Sequence, residues 1–185
     1  LTPRVDLRFT AGKGWRTPNI IIENSALLAS NKTWFLPAMV KPEVSWNSGL
    51  SLVVDFDSKA QRFTWTSDLY YTWFEQQFVV DRDVFEDGIL FLYQQNASRA
   101  LAVQSEIDLQ INTQWGVRFA YKYLDVRATY GGKLQQQVMV PKHRGFFNLG
   151  YKSRSKRWEF DLTCSVFGTA RLPEILLPDG STTTD

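Results

Sequence analysis

Phe63-Thr64-Trp65-Thr66-Ser67-Asp68-Leu69-Tyr70-Tyr71-Thr72-Trp73-Phe74-Glu75-Gln76-Gln77-Phe78-Val79 is the stretch from which the fold can be read. Phe63, Trp65, Leu69, Tyr71, Trp73 and Val79 fall on one parity, and Thr64, Thr66, Asp68, Tyr70, Thr72 and Gln76 on the other. Successive side chains of a strand point to opposite faces, so an extended backbone here has one aromatic, apolar face and one mostly polar face. The alternation persists roughly three times as far as the ~5–6 residues of a common globular strand. Such length and alternation suit the wall of a membrane barrel, with lipid on one side and a wet lumen on the other.

The pattern recurs. Val5, Leu7 and Phe9 alternate with Arg4, Asp6, Arg8 and Thr10, and Trp46, Leu50, Leu52, Val54 and Phe56 with Ser45, Asn47, Ser51, Asp55 and Asp57, Val53 being the exception. Leu101, Val103, Ile107, Leu109 and Ile111 oppose Gln104, Glu106, Asp108 and Gln110. Trp115, Val117, Phe119, Tyr121 and Tyr123 face away from Arg118 and Lys122, and Phe147, Leu149 and Tyr151 from Arg144, Asn148 and Lys152. Trp158, Phe160, Leu162, Cys164 and Val166 oppose Glu159, Asp161, Thr163 and Ser165. No segment carries a competing helical period.

Composition narrows the function classes. Aromatic residues make up 15% of the chain, and many sit near strand ends, where a membrane barrel carries its aromatic girdles. The apolar runs fall far short of the ~20 residues a membrane-crossing helix needs. A net charge of +2, with basic residues alternating into strands, argues against a nucleic-acid partner. The single cysteine, Cys164, cannot form an internal disulfide and lies on the apolar parity, where it behaves as a small hydrophobe. The sequence starts at Leu1 without a charged-then-apolar leader, so any export signal is expected to have been removed or to lie outside it.

The chain divides into seven long strands in an all-β, antiparallel up-and-down meander, at about 3–12, 43–56, 61–80, 90–111, 115–128, 142–152 and 157–168. Short turns at 57–60, 112–114 and 153–156 alternate with long connections at 13–42, 81–88 and 131–141. That alternation is expected where one rim faces the exterior and the other the periplasm.

Gly12-Lys13-Gly14-Trp15-Arg16-Thr17-Pro18-Asn19 with Ile22-Glu23-Asn24, then Lys41-Pro42-Glu43 with Trp46 and Gly49, resemble motifs that flank a long outer loop in TonB-dependent outer-membrane receptors. Tyr121-Lys122-Tyr123 with Asp125 is similar to the same family, and Val140-Pro141-Lys142-His143-Arg144 resembles its entry into a downward strand. The resemblance implies structural roles for Gly14, Arg16, Pro18, Pro42, Glu43, Pro141, His143 and Arg144. It also implies a barrel of about 22 strands around a plug, of which residues 1–185 would supply roughly a third of the wall. The plug domain and the closing strands are therefore expected elsewhere, and the chain is read as an internal or near C-terminal fragment.

What the resemblance implies for function is an outer-membrane receptor of a Gram-negative bacterium. It would import a scarce nutrient (an iron chelate, a cobalamin-like cofactor or an oligomeric nutrient) with energy from an inner-membrane complex. Its partners would be outer-membrane lipid, its own plug domain, the TonB energy-coupling protein and the nutrient. No enzyme activity and no cofactor are expected. Family members bind substrate among outer loops and plug apices, which makes Trp34, Phe35, Lys41, Arg82 and Asp83 the candidate ligand contacts. Two alternatives stay open: a soluble β-sandwich binding module, and a passive porin or adhesin barrel. Isolated from the rest of the barrel, the chain is expected to self-associate.

Several local motifs have plainer readings. Asp81, Asp83, Glu86 and Asp87 offer oxygens to Ca²⁺ but lack calcium-loop spacing, so a solvated loop is favoured. Gly12-Lys13-Gly14 lacks the features of a phosphate loop, and a backbone turn is its natural role. His143 is expected to be structural. Arg16 is expected to brace the wall against lumen carboxylates such as Asp6.

Overall fold

The computed structural model describes residues 4–58, 61–82, 88–94, 98–130 and 133–173. Its strands are β1 (Arg4–Arg16), β2 (Thr33–Phe35), β3 (Glu43–Asp57), β4 (Arg62–Asp81), β5 (Gly88–Gln94), β6 (Ser98–Gln110), β7 (Trp115–Tyr130), β8 (Lys133–Gln136), β9 (His143–Lys152) and β10 (Glu159–Phe167). Between β1 and β2 lie the short helix α1 (Ile20–Glu23) and a 3-10 turn (Ser25–Ser30). All strands belong to one sheet, whose main path runs β1-β3-β4-β6-β7-β9-β10. Every pairing along that path is antiparallel. This is the expected seven-stranded meander. A sandwich would need a second sheet packed on the first, and the described strands form only one.

Pairing joins the parity of one strand to that of the next. Leu50, Leu69, Val103, Tyr123 and His143 are successive partners, as are Val117, Leu149 and Leu162, so the apolar sets share one face. That face is bare: Leu7 is 69% exposed and Leu162 61%. Phe63 to Trp73 spans ~33 Å of strand at ~3.3 Å per residue, or ~25 Å of height at a tilt of ~40°, which equals the apolar band of a membrane barrel. Polar groups on this face find partners: the Trp65 indole N–H donates to Ser105 Oγ at 2.9 Å.

The opposite, lumen face is polar and cross-linked. Arg118 binds Asp108 at 2.7 Å and Glu106 at 3.4 Å, Thr64 donates to Asp55 at 2.7 Å, and Asn148 to Thr163 at 2.9 Å. The short turns close locally. Ser58 and Gln61 exchange backbone hydrogen bonds, and Asn112 Oδ1 accepts from the N–H groups of Gln114 and Trp115.

The structure corrects the sequence reading in four places. β1 runs on to Arg16, and Gly12 and Gly14 pair with Asn47 and Ser45 inside the strand instead of turning the chain. The expected fourth strand is two segments, β5 and β6, whose registers against β4 differ by one residue. Two short strands, β2 and β8, were not anticipated, and β2 pairs parallel with β5. Finally, Val44 pairs with Gln76 while Ser45 pairs with Phe74, which leaves Glu75 as the extra residue of a bulge. Beyond it the alternation reverses, and Val79 packs with Ala128 and Tyr130 instead of continuing the apolar outer face.

Buried apolar side chains therefore sit at the long-connection end of the wall, where the hairpins meet. Val79, Ile89, Phe91, Ala128 and Tyr130 are buried there.

Candidate functional site

The end of the wall that carries the long connections is organised by the connection between β1 and β3. Pro18, buried, precedes Asn19, which caps α1: its Oδ1 accepts from Ile22 N–H at 3.2 Å, and Glu23 Oε1 accepts from Asn19 N–H at 3.0 Å. Glu23 also receives both terminal nitrogens of Arg16, each at 3.2 Å. Arg16 Nε donates to Glu43 Oε2, and Glu43 Oε1 accepts the Phe78 N–H at 2.9 Å. Phe78 lies past the bulge and above the first residue of β3, so its N–H has no strand partner there, and the Glu43 carboxylate takes that place. One guanidinium thus ties both ends of the loop and the top of β4 together.

Arg16 does not reach Asp6, which pairs instead with Arg4 at 3.1 Å. The expected brace fails because both residues lie on the same strand, far apart along it. The Arg16 latch gathers four of the residues singled out in the sequence: Arg16 and Glu43 by contact, Pro18 by setting up the cap, and Pro42 by leading into Glu43. Gly14 is in the adjacent strand segment, paired with Ser45.

The far side of the loop is held by aromatic packing. β2 lies alongside β5, with Trp34 opposite Ile89 and Phe35 opposite Leu90. Trp34 packs on Phe91 with centroids 4.9 Å apart, and Phe78 on Tyr93 at 5.1 Å. The Tyr93 hydroxyl accepts from Lys41 N–H and donates to Lys41 O, both at 2.6 Å. Lys41 is thereby fixed through its backbone while its side chain stays exposed. Arg82 approaches Met139 Sδ at 3.7 Å. A polar cleft of about 240 Å³ opens between these parts, lined by Arg16, Glu43, Gln77, Arg82, Tyr130 and Gln137 among others. Asp83 lies outside the described residues.

Pro141, His143 and Arg144 are apart from this connection, at the start of β9. His143 faces outward with Tyr121, whose hydroxyl lies 2.7 Å from its Nδ1, and Arg144 faces the lumen side beside the Phe167 ring. Sequence reasoning missed Glu23 as the second carboxylate on Arg16, although Asn19 followed by Glu23 at a helix start was a readable cap signal. It also missed Glu75, which takes Lys13 at 2.7 Å and the Trp46 indole N–H at 2.8 Å, and no local pattern marked that bulge.

The chain is thus a meander of long strands, apolar on one face and polar on the other, with its long connections packed over one end. Residues 1–183 match the family described as TonB dependent receptor-like, beta-barrel. The chain belongs to that family. No curated protein matches it. TonB-dependent receptors are outer-membrane receptors and transporters of Gram-negative bacteria, a transporter family and not an enzymatic one. In these terms β1, β3, β4, β6, β7, β9 and β10 are barrel wall, and the latched connection joins two of its strands.

Proposed function

We propose that this wall is part of a receptor that binds a scarce nutrient at its outer mouth and imports it with energy delivered through TonB from the inner membrane. An iron chelate, a cobalamin-like cofactor or an oligomeric nutrient fits such a role. A plug domain and the remaining strands would complete the lumen, against the polar face that carries Arg118, Asp108 and Glu106. The observation that carries the reading is the latched loop. Arg16, Glu23 and Glu43 hold residues 17–42 in a fixed pose, and β2 is stitched to the next hairpin, so Phe35, Lys41 and Arg82 stand at the mouth without further ordering. Preorganisation of this kind lowers the entropy a ligand contact must offset. Trp34 contributes chiefly by anchoring β2 on Phe91.

The test is deletion of residues 20–40 from the complete receptor, followed by uptake of its nutrient. Uptake should fall while the barrel still assembles. Wild-type uptake by the deletion variant would remove this loop from the binding site.

A further inference from the structure

The outward face ends, at the border with the long connections, in a single row of cross-strand partners: Lys13, Trp46, Trp73, Arg99 and Arg127. At one end Lys13 is balanced by Glu75 at 2.7 Å. The other end is not balanced. Arg99 and Arg127 are direct cross-strand partners, and side chains so placed have Cβ atoms ~4.5–5.5 Å apart, where like charges repel. Arg127 binds Asp125 at 2.9 Å, Lys142 reaches the same carboxylate at 3.9 Å, and Arg99 is exposed with no ion-pair partner among the described residues. Three cations thus gather around one carboxylate that pairs with only two of them. Immediately towards the apolar band are the rings of Tyr121, Tyr123 and His143, with Tyr123 and His143 centroids 5.3 Å apart.

We propose that Arg99, Arg127 and Lys142 form a docking site for the phosphate of a membrane-lipid headgroup, whose acyl chains lie along the apolar wall beneath. Charge sets the ligand's sign, because the cluster carries an excess of two positive charges at a border where an anion can approach from the headgroup layer. Two guanidiniums match phosphate oxygens with forked, charge-assisted hydrogen bonds, and a phosphate between them would relieve their mutual repulsion. The aromatic rings below suit the headgroup level of a bilayer. Facing away from the lumen, the cluster cannot take part in nutrient binding there. The inference rests on the outward face meeting lipid and not on the identity of the nutrient.

The experiment is native mass spectrometry of the complete receptor in detergent, titrated with phosphatidic acid or with phosphatidylcholine. Wild type should retain phosphatidic acid in preference to phosphatidylcholine. Arg99→Gln and Arg127→Gln should each weaken phosphatidic acid retention about fivefold, as expected for one cation near a headgroup layer, and leave phosphatidylcholine retention unchanged. Asp125→Asn removes the competing carboxylate and should strengthen phosphatidic acid retention, which decides the matter if the arginine variants fail to assemble. Unchanged phosphatidic acid retention in all three variants would overturn the site. Displacement by an equal concentration of inorganic phosphate would overturn the lipid source. Nutrient uptake is read separately, so either failure leaves the transport proposal standing.

Discussion

Gly49 on β3 lies directly across from Tyr70 on β4 and from Thr10 on β1, on the lumen face. The Tyr70 ring covers it so closely that a Cβ added at Gly49 would meet the ring at 2.3 Å and Thr10 Oγ1 at 2.9 Å. Gly12 has open space at the same position. Gly49→Ala should therefore force the Tyr70 ring aside and cost ~1–3 kcal/mol, as overpacking does, whereas Gly12→Ala should be close to neutral. Unfolding of the assembled barrel in denaturant measures both. Combining Gly49→Ala with Tyr70→Ala should recover most of the first loss, and strictly additive losses would show that the ring is not the cause.

The connection from β1 to β3 depends on the Arg16 latch more than on its own short elements. α1 has only four residues and the 3-10 turn six, too little backbone to hold a pose alone. Glu43 has a buried side chain, at 8% exposure, facing a guanidinium that is 63% exposed. Breaking a fully buried pair costs ~3–5 kcal/mol, and the exposure of Arg16 reduces the expectation to ~1–3 kcal/mol. Arg16→Ala should accordingly free the loop: limited proteolysis of the assembled receptor should cut between residues 17 and 42 faster, with the barrel strands still resistant. Cleavage at the wild-type rate would mean that β2 and Trp34 hold the loop without the latch.

Taken as one object, the described chain is a sheet with an edge at β1 and another at β10, each bonded on one side only. Such edges offer unpaired N–H and C=O groups to another chain. Its outer face exposes Leu7, Phe9, Phe119, Phe160, Leu162 and Val166 together, an area beyond the few hundred Å² that monomers usually leave bare. The isolated chain in plain buffer should consequently sediment as a dimer or larger species, and detergent should disperse it. A compact monomer without detergent would contradict the lipid-facing assignment.

The alternation from Phe63 to Trp73, and its repeats in the other strands, determined the wall and its two faces, because strand parity is a property of the local backbone and needs no partner to be read. The short turns were legible for the same reason: Asn112 closes its turn with its own side chain, and Ser58 and Gln61 bond across four residues. Among the candidate site residues, Arg16, Pro18, Pro42 and Glu43 were legible as a group, but not what they do together. That Arg16 joins Glu23 and Glu43 instead of Asp6 depends on the hairpin bringing residues from two strands and a helix to one point. The reversal at Glu75 was not read either, since which residue of β4 is the extra one is decided by its register against β3. The parallel stitch of β2 to β5 likewise exists only because the edge of a neighbouring hairpin is within reach. Parity travels with the chain, whereas register, bulges and ion-pair partners are decided between segments, and only the tertiary structure sets those distances.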